Sequence, residues 1–359
     1  MLGAGAVDAA LITNPVNVTY LTGFTGDSSY LVVLPARVIL VSDGRFVVQL
    51  AEECPGLETH IRPPSQSITE AASAVLGRIG LRTVLLESGH MTVADYELLR
   101  SKTTLDWKPV AGRVEQMRMI KDDAEVAEIR HAIRIAEKAF TMFRAMLRPD
   151  DREKDMADAM EMFVRKAGGS GCAFPPIVAV GERAALPHAP PTERSLEDED
   201  LVLVDWGATG RLYKSDLTRV LLTHPQAMAS RRPGSTTTLA DVHRVVLDAQ
   251  QQAIALLRPG VKALEVDAQA REFIAAAGFG DHFNHGLGHG FGLQIHEAPF
   301  LKPGHDIVLK AGMVVTVEPG IYIEGWAGIR IEDDVLITAD GHEVLTSVPR
   351  DIEASVLNF

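Results

Sequence analysis

Short aliphatic runs alternate with amphipathic stretches over the first third of the chain. Residues 9–13, 30–34, 38–41 and 83–87 are β-rich and bounded by Gly, Pro, Asn or Asp, which predicts strands. Between them, residues 67–79 and 92–101 carry apolar positions at helical spacing. The pattern predicts a small α/β domain over residues 1–119. A shortened helix is expected ahead of Asp8, because the apolar run Ala9-Ala10-Leu11-Ile12 begins almost at once. No G-x-G-x-x-G follows a strand here, so a dinucleotide site has no support.

The remainder, residues 120–359, opens on a long helix. Asp122 and Glu125 have capping-box spacing, and Val126, Ile129, Ile133, Ala136, Phe140, Phe143 and Leu147 recur every three or four residues as a core-facing stripe. Leu147-Arg148-Pro149 stops it, and a second helix is predicted over 152–166. The same order then returns. Leu147-Arg148-Pro149 recurs as Leu257-Arg258-Pro259, and F-V-R-K-A-G from Phe163 recurs as F-I-A-A-A-G from Phe273. Both pairs lie 110 residues apart. Two helix-helix-strand halves sharing one core are therefore expected. The 231–238 stretch, with Pro233, Gly234, Ser235 and three threonines, reads as a surface loop between them.

Composition narrows the function. The hydrophobic fraction of 46% suffices for sizeable cores, and 359 residues suit two domains. The net charge of -13 argues against nucleic-acid or anionic-membrane partners. Cys54 and Cys172 are the two cysteines and form no CxxC, so a reducing compartment is the default. No apolar run reaches membrane-spanning length, and a cytoplasmic protein is expected.

The candidate chemistry lies in the second domain. V-L-V-D-W-G ends an apolar strand on Asp205, and S-D-L-T-R places Asp216 on the next strand after a turn at 207–211. Two unpaired carboxylates in a buried hairpin would repel, so something cationic belongs between them. The second half offers a counterpart: V-T-V-E-P-G ends on Glu318, and G-I-R-I-E-D places Glu332 on the following strand. The two pairs are expected to face one another. Between the halves' motifs, H-G-L-G-H-G-F-G-L-Q-I-H-E carries His285, His289 and His296 with glycines at alternating positions, suited to a backbone brought close to a site. Four carboxylates and one imidazole make a hard, oxygen-rich set able to hold two divalent ions.

Taken singly, each residue has a plainer reading. Asp205 could cap a strand end, His289 could be a hydrogen-bonded structural histidine, and Glu332 could pair with Arg330. Four acids in duplicated contexts beside a glycine-spaced histidine run outweigh those readings. The segments V-L-V-D-W-G-x9-D-L-T-R, H-G-L-G-H-x-F-G-L-x-I-H-E, V-E-P-G-I-Y-I and G-I-R-I-E-D-D resemble those of the pita-bread metallopeptidases, in the aminopeptidase P and prolidase branch. N-P-V-N-V-T-Y-L-T-G-F from Asn14 and S-D-G-R-F from Ser42 are similar to the creatinase-like domain that precedes that catalytic fold. Methionine aminopeptidases share the metal set but lack this domain.

The resemblance implies an α/β chain: a creatinase-like N-terminal domain, then a duplicated α+β pita-bread catalytic domain. It implies two divalent ions, manganese before cobalt, zinc or iron. Asp205 would hold one, His289 and Glu318 the other, and Asp216 and Glu332 both. Glu318 would also move a proton, His296 would face the developing oxyanion, and His188 would sit on the substrate side, with His285 flanking the cleft. Arg330 would orient an acid. The implied substrates are small peptides with proline second, and the implied assembly is a homodimer. Outside this reading stand a catalytically silent peptide- or protein-binding module and a hydrolase or lyase of a small non-peptide substrate. The chain departs from the family at Phe291, where an aliphatic residue is usual, and at Ala189-Pro190-Pro191, which replaces a glycine-containing turn.

Overall fold

A six-stranded mixed sheet organises the first part of the chain, in the order β4-β3-β2-β1-β5-β6. Its elements run β1 (Ala9–Ile12), α1 (Pro15–Thr22), β2 (Tyr30–Val33), β3 (Val38–Asp43), α2 (Val47–Glu53), β4 (Glu58–Arg62), α3 (Ile68–Ile79), β5 (Thr83–Glu87), α4 (Val93–Lys102), β6 (Asp106–Val110) and α5 (Arg113–Arg118). β1 pairs antiparallel with β2 and parallel with β5. The computed structural model describes residues 7–197, 199–357 and 359, and the chain divides into two units, Met1–Arg118 and Met119–Phe359. The shortened helix expected ahead of Asp8 falls on residues 1–6, outside the described residues. Among the described residues no helix is long and apolar enough to cross a membrane.

The predicted strands and helices of this unit form within a residue or two of their expected bounds, and α3 starts at a Ser67/Glu70 capping box. Five elements carried no legible pattern. β4 is an edge strand without a buried residue, so it shows no apolar alternation. β6 contains Pro109, tolerated because it too lies at a sheet edge. α1, α2 and α5 have at most eight residues, too few to display a helical period.

The second unit opens with α6 (Asp123–Met146), whose first turn is closed by the expected reciprocal bonds of Asp122 and Glu125. Every member of its predicted stripe is buried. Ile129 and Ile133 pack with Phe291, while Phe140 stacks on Trp206 at a centroid distance of 4.2 Å. Each such side chain contributes about 2 kcal/mol of transfer free energy. Phe291 packs against the α6 seam, so its bulk is absorbed in that core.

There follow α7 (Glu153–Ala167), β7 (Gly171–Cys172), β8 (Ile177–Val180), β9 (Leu201–Trp206), β10 (Ala208–Thr209) and β11 (Leu217–Leu222). The second half repeats the order: α8 (Leu239–Leu256), α9 (Ala263–Ala276), β12 (Gly288–Gly290), β13 (Glu297–Leu301), β14 (Val314–Val317), β15 (Gly320–Ile323), β16 (Ala327–Arg330), β17 (Asp333–Ile337) and β18 (His342–Val344). Helices α7 and α9 begin 110 residues apart, and α6 and α8 end 110 residues apart, matching the repeat in the sequence. The halves contribute a β11-β9-β8 sheet and a β13-β12-β14-β17-β18 sheet. An isolated bridge, Thr218 to Glu332, ties β11 to the second half beside the acids.

His243 on α8 is buried, and that burial holds its imidazole down at about 4 from the usual 6.5, against a weaker upward pull from Glu353 and Asp351. The unfolded chain binds this proton near pH 6.5, whereas the fold refuses it until about 4. This contribution to stability is complete above pH 6.5 and declines by about 3 kcal/mol as pH falls to 4. In thermal melts across that window, His243→Gln should lose this part of the downward slope in Tm. An unchanged slope would remove His243 as its source.

Candidate metal centre

The acids meet because strand register puts them on one face. Thr218 of β11 stands opposite Asp205 of β9, and Asp216 precedes Thr218 by two residues. The period of two therefore turns Asp205, Asp216 and Thr218 the same way. In the second half Val317 pairs with Asp333, which leaves Glu318 and Glu332 side by side just beyond the ladder. Glu332 departs from its expected place within a strand. The β15–β16 hairpin intervenes after Glu318, and Glu332 occupies the junction between β16 and β17.

The alternating glycines serve close strand packing more than approach to a ligand. A Cβ at Gly288 would lie 2.1 Å from the Thr316 carbonyl oxygen, and one at Gly290 would lie 2.4 Å from that of Ala298. Only glycine lets β12 sit this tightly between its neighbours, and His289 is carried inward with it.

Asp205, Asp216, His289, Glu318 and Glu332 all line one cavity of about 650 Å³, together with His188, His285 and His296. One ligand atom from each of Asp216, His289 and Glu332 lies within 4.8 Å of the others. Glu318 stands beside this group, its Oε1 3.3 Å from His289 Nε2, while Asp216 Oδ2 is 3.7 Å from the same nitrogen. His296 is exposed to the cavity with its ring 4.4 Å from that of His289, and His188 is exposed on the wall. His285 is more engaged: Nδ1 meets the Gly286 carbonyl at 2.7 Å and Nε2 meets the Tyr322 hydroxyl at 2.9 Å.

The arrangement of protons shows what the group can hold. His289 Nδ1 lies 3.1 Å from the Gly290 carbonyl, which can only accept, so Nδ1 carries the hydrogen. Burial holds this imidazole down at about 3, hence neutral, and Nε2 presents a bare lone pair to the carboxylates. Burial also pushes Asp216 and Glu332 well above the usual carboxylate range, with mutual repulsion adding to it, and raises Glu318 to about 8. Asp205 is raised by burial in spite of Arg330, and its Oδ1 is a buried oxygen without a hydrogen-bond partner. Buried carboxyl groups that keep their protons for lack of a cation, a bare imidazole nitrogen and an orphaned oxygen would all be satisfied by divalent cations, and oxygen with imidazole donors suits them. The residues fit such a metal group.

Several supports left no signal of their own in the sequence. The Thr218 hydroxyl donates to Glu332 Oε2 at 2.6 Å and accepts from Arg330 Nε at 3.0 Å. Its counterpart Thr316 accepts from the His289 N–H at 3.0 Å and donates to Glu318 Oε1 at 3.2 Å. Each threonine lies two residues from an acid on a strand, which is the one clue that could have found them. Arg330 pairs with Asp205 Oδ2 at 2.6 Å and with the Tyr322 hydroxyl at 2.8 Å, so the acid it orients is Asp205. Glu153 of α7, fully buried, accepts from the Val180 and Thr192 N–H groups and from Arg183, closing both ends of the 181–192 segment that carries His188. The cavity lining also includes the apolar side chains of Phe174, Pro175, Pro176, Pro190 and Phe300.

Comparison with known proteins places this architecture. Residues 127–339 match metallopeptidase family M24, and residues 1–120 match the creatinase/prolidase N-terminal domain. An X-Pro aminopeptidase structure from Thermotoga maritima is 34% identical, with TM-score 0.87 and coverage of 98% of this chain and 97% of that one. A Xaa-Pro dipeptidase structure from Bacillus anthracis is 34% identical, with TM-score 0.90 and coverage of 98% and 95%. A Xaa-Pro dipeptidase of Pyrococcus horikoshii is 32% identical over 97% of this chain and 95% of its own length. The fold and the site thus define a metal-dependent peptidase. The chain belongs to metallopeptidase family M24, in its creatinase/prolidase form.

Proposed function

We propose that this protein is an exopeptidase that hydrolyses the bond between a first residue and a following proline. The observation that carries the reading is the gathering of Asp205, Asp216, Glu318 and Glu332 with His289 around one cavity, where Asp216, His289 and Glu332 bring ligand atoms within 4.8 Å of one another. It is supported by relatives described as X-Pro aminopeptidase and Xaa-Pro dipeptidase. Asp205, Asp216, His289, Glu318 and Glu332 would hold two divalent ions, manganese foremost. Bound there, the ions supply Lewis acidity that acidifies water and polarises the scissile carbonyl.

The chain's own groups do the rest. A Glu318 carboxylate oxygen takes the proton of the attacking water and returns it to the leaving proline nitrogen. His296 faces the cavity and donates to the oxygen that gains charge. His188, on the segment braced by Glu153, positions the substrate, and the carboxylate-rich wall favours its free ammonium group. His285 holds Tyr322, and through it Arg330 and Asp205, in place. The phenylalanine and proline wall offers an apolar surface to a pyrrolidine ring. A cytoplasmic homodimer formed through the N-terminal unit completes the reading.

Turnover of an Xaa-Pro dipeptide beside an Xaa-Pro-Xaa tripeptide, with bound metal measured in the same samples, tests this. Hydrolysis of neither by metal-loaded protein would sink it. His296→Ala should keep its metal while kcat falls by about 10²–10³, because the lost contact strengthens only in the transition state. Loss of metal, or normal turnover in a less stable variant, would reassign His296 to the structure.

A further inference from the structure

We infer that Gln250, in the middle of α8, is a positioning residue that sets the spacing of Glu318 and Glu332. Its Nε2 lies 3.0 Å from the Val317 carbonyl oxygen, 3.0 Å from the Ile331 carbonyl oxygen and 2.9 Å from Asp333 Oδ2. The two carbonyls belong to the peptide units that lead directly into Glu318 and Glu332. One side-chain nitrogen thus clips together the two segments whose carboxylates face the cavity. All three neighbours are acceptors, so the amide's NH2 end must face them.

Asp333 extends the clip to the first half. Beyond Gln250 it accepts from Arg219 Nη2 at 2.8 Å, Arg350 Nε at 2.6 Å and the Thr346 hydroxyl. Arg219 in turn donates from Nη1 to the carbonyls of Thr218 and Glu332. Arg219 and Asp333 are buried, and Gln250 is fully so. The Gln250 amide therefore connects, through Asp333 and Arg219, with Thr218, which itself holds Glu332.

The Gln250 amide is committed to this contact: its Oε1 is buried without a hydrogen-bond partner, while its NH2 end serves three buried acceptors that an apolar side chain would deprive of a donor. A neutral group with two hydrogens on one nitrogen fastens backbone carbonyls without bringing charge toward the acids. A lysine would place a competing cation there, and a glutamate would face three acceptors.

This inference rests on the metal-centre reading, and its test separates the two. Wild type, Gln250→Met and Gln250→Asn are titrated with Mn2+ by calorimetry and loaded with Co2+ for visible absorption spectra, alongside thermal melts of the metal-free proteins. Methionine keeps the volume and removes the donor. Asparagine keeps the amide but is too short to reach all three acceptors. Removing an outer support of metal ligands typically costs 10–100-fold in affinity. Gln250→Met should therefore bind Mn2+ about 10–100-fold more weakly, with an altered Co2+ spectrum and a lowered kcat at saturating metal but little change in KM. Gln250→Asn should fall between, and it decides the matter alone if the methionine variant does not fold. Mn2+ affinity within twofold of wild type and an unchanged Co2+ spectrum, with only Tm reduced, would overturn the inference and leave Gln250 a core residue. Absence of binding by wild type as well would sink the metal centre, and the inference with it.

Discussion

Asp216→Ala is expected to yield a folded protein that binds little metal and has no peptidase activity above background. Asp216 belongs to the group whose ligand atoms come within 4.8 Å of one another and feels the charges of Glu332, Asp205 and Glu318, so its loss weakens every ion held there. The effect on stability should depend on metal. Metal-free, the variant is relieved of one carboxylate among several buried ones and should melt no lower than wild type. With Mn2+ at 1,000 times its Kd, wild type should gain about 4 kcal/mol of stability and the variant almost none. Melting curves with and without Mn2+, paired with metal analysis, check both halves. Full metal content with normal turnover would take Asp216 out of the centre.

Glu318→Gln, which removes the proton carrier, should be more damaging than His296→Ala, which removes a donor to the developing oxyanion. The amide keeps the shape but cannot accept the proton, and it weakens one ligand as well. General acid–base catalysis contributes about 10²–10⁴ in rate, so kcat should fall by at least about 10³ even at saturating metal. Metal affinity should fall too, whereas His296→Ala keeps it. Steady-state kinetics and calorimetry on the two variants separate these roles. Equal kcat losses with equal metal affinity would contradict the division of labour between them.

Periodic features and local signals could be read from the sequence, and the rest could not. The α6 stripe, its capping box and the 110-residue repeat are local or self-similar patterns, and they correspond to α6 and to the matched ends of α6 to α9. The candidate acids around the cavity could be singled out because Asp205 and Glu318 end apolar runs and Asp216 and Glu332 follow each of them in turn, in duplicated contexts. What escaped was set by partners distant in sequence. Gln250 meets Val317 across 67 residues and Glu153 meets Thr192 across 39, and neither leaves a periodic trace near its own position. The β15–β16 hairpin was hidden because V-E-P-G-I-Y-I-E-G-W-A-G-I-R-I-E reads as one broken apolar stretch. Its turn shows only at Gly325, in the left-handed region.

The bracing of the His188 segment by Glu153 has a consequence for redesign. A single buried carboxylate receives Val180 and Arg183 at one end and Thr192 at the other, and Arg183 also reaches the Pro190 carbonyl. The residues between these anchors are hung from α7, and among them Leu186 and Pro190 are exposed. Exchanging those two side chains alters which groups meet an incoming peptide. The five candidate ligands lie outside this stretch, so libraries at those two positions would diversify selectivity, provided that His188, the buried Ala184 and Ala189, and the Pro187 carbonyl that meets Arg330 are kept.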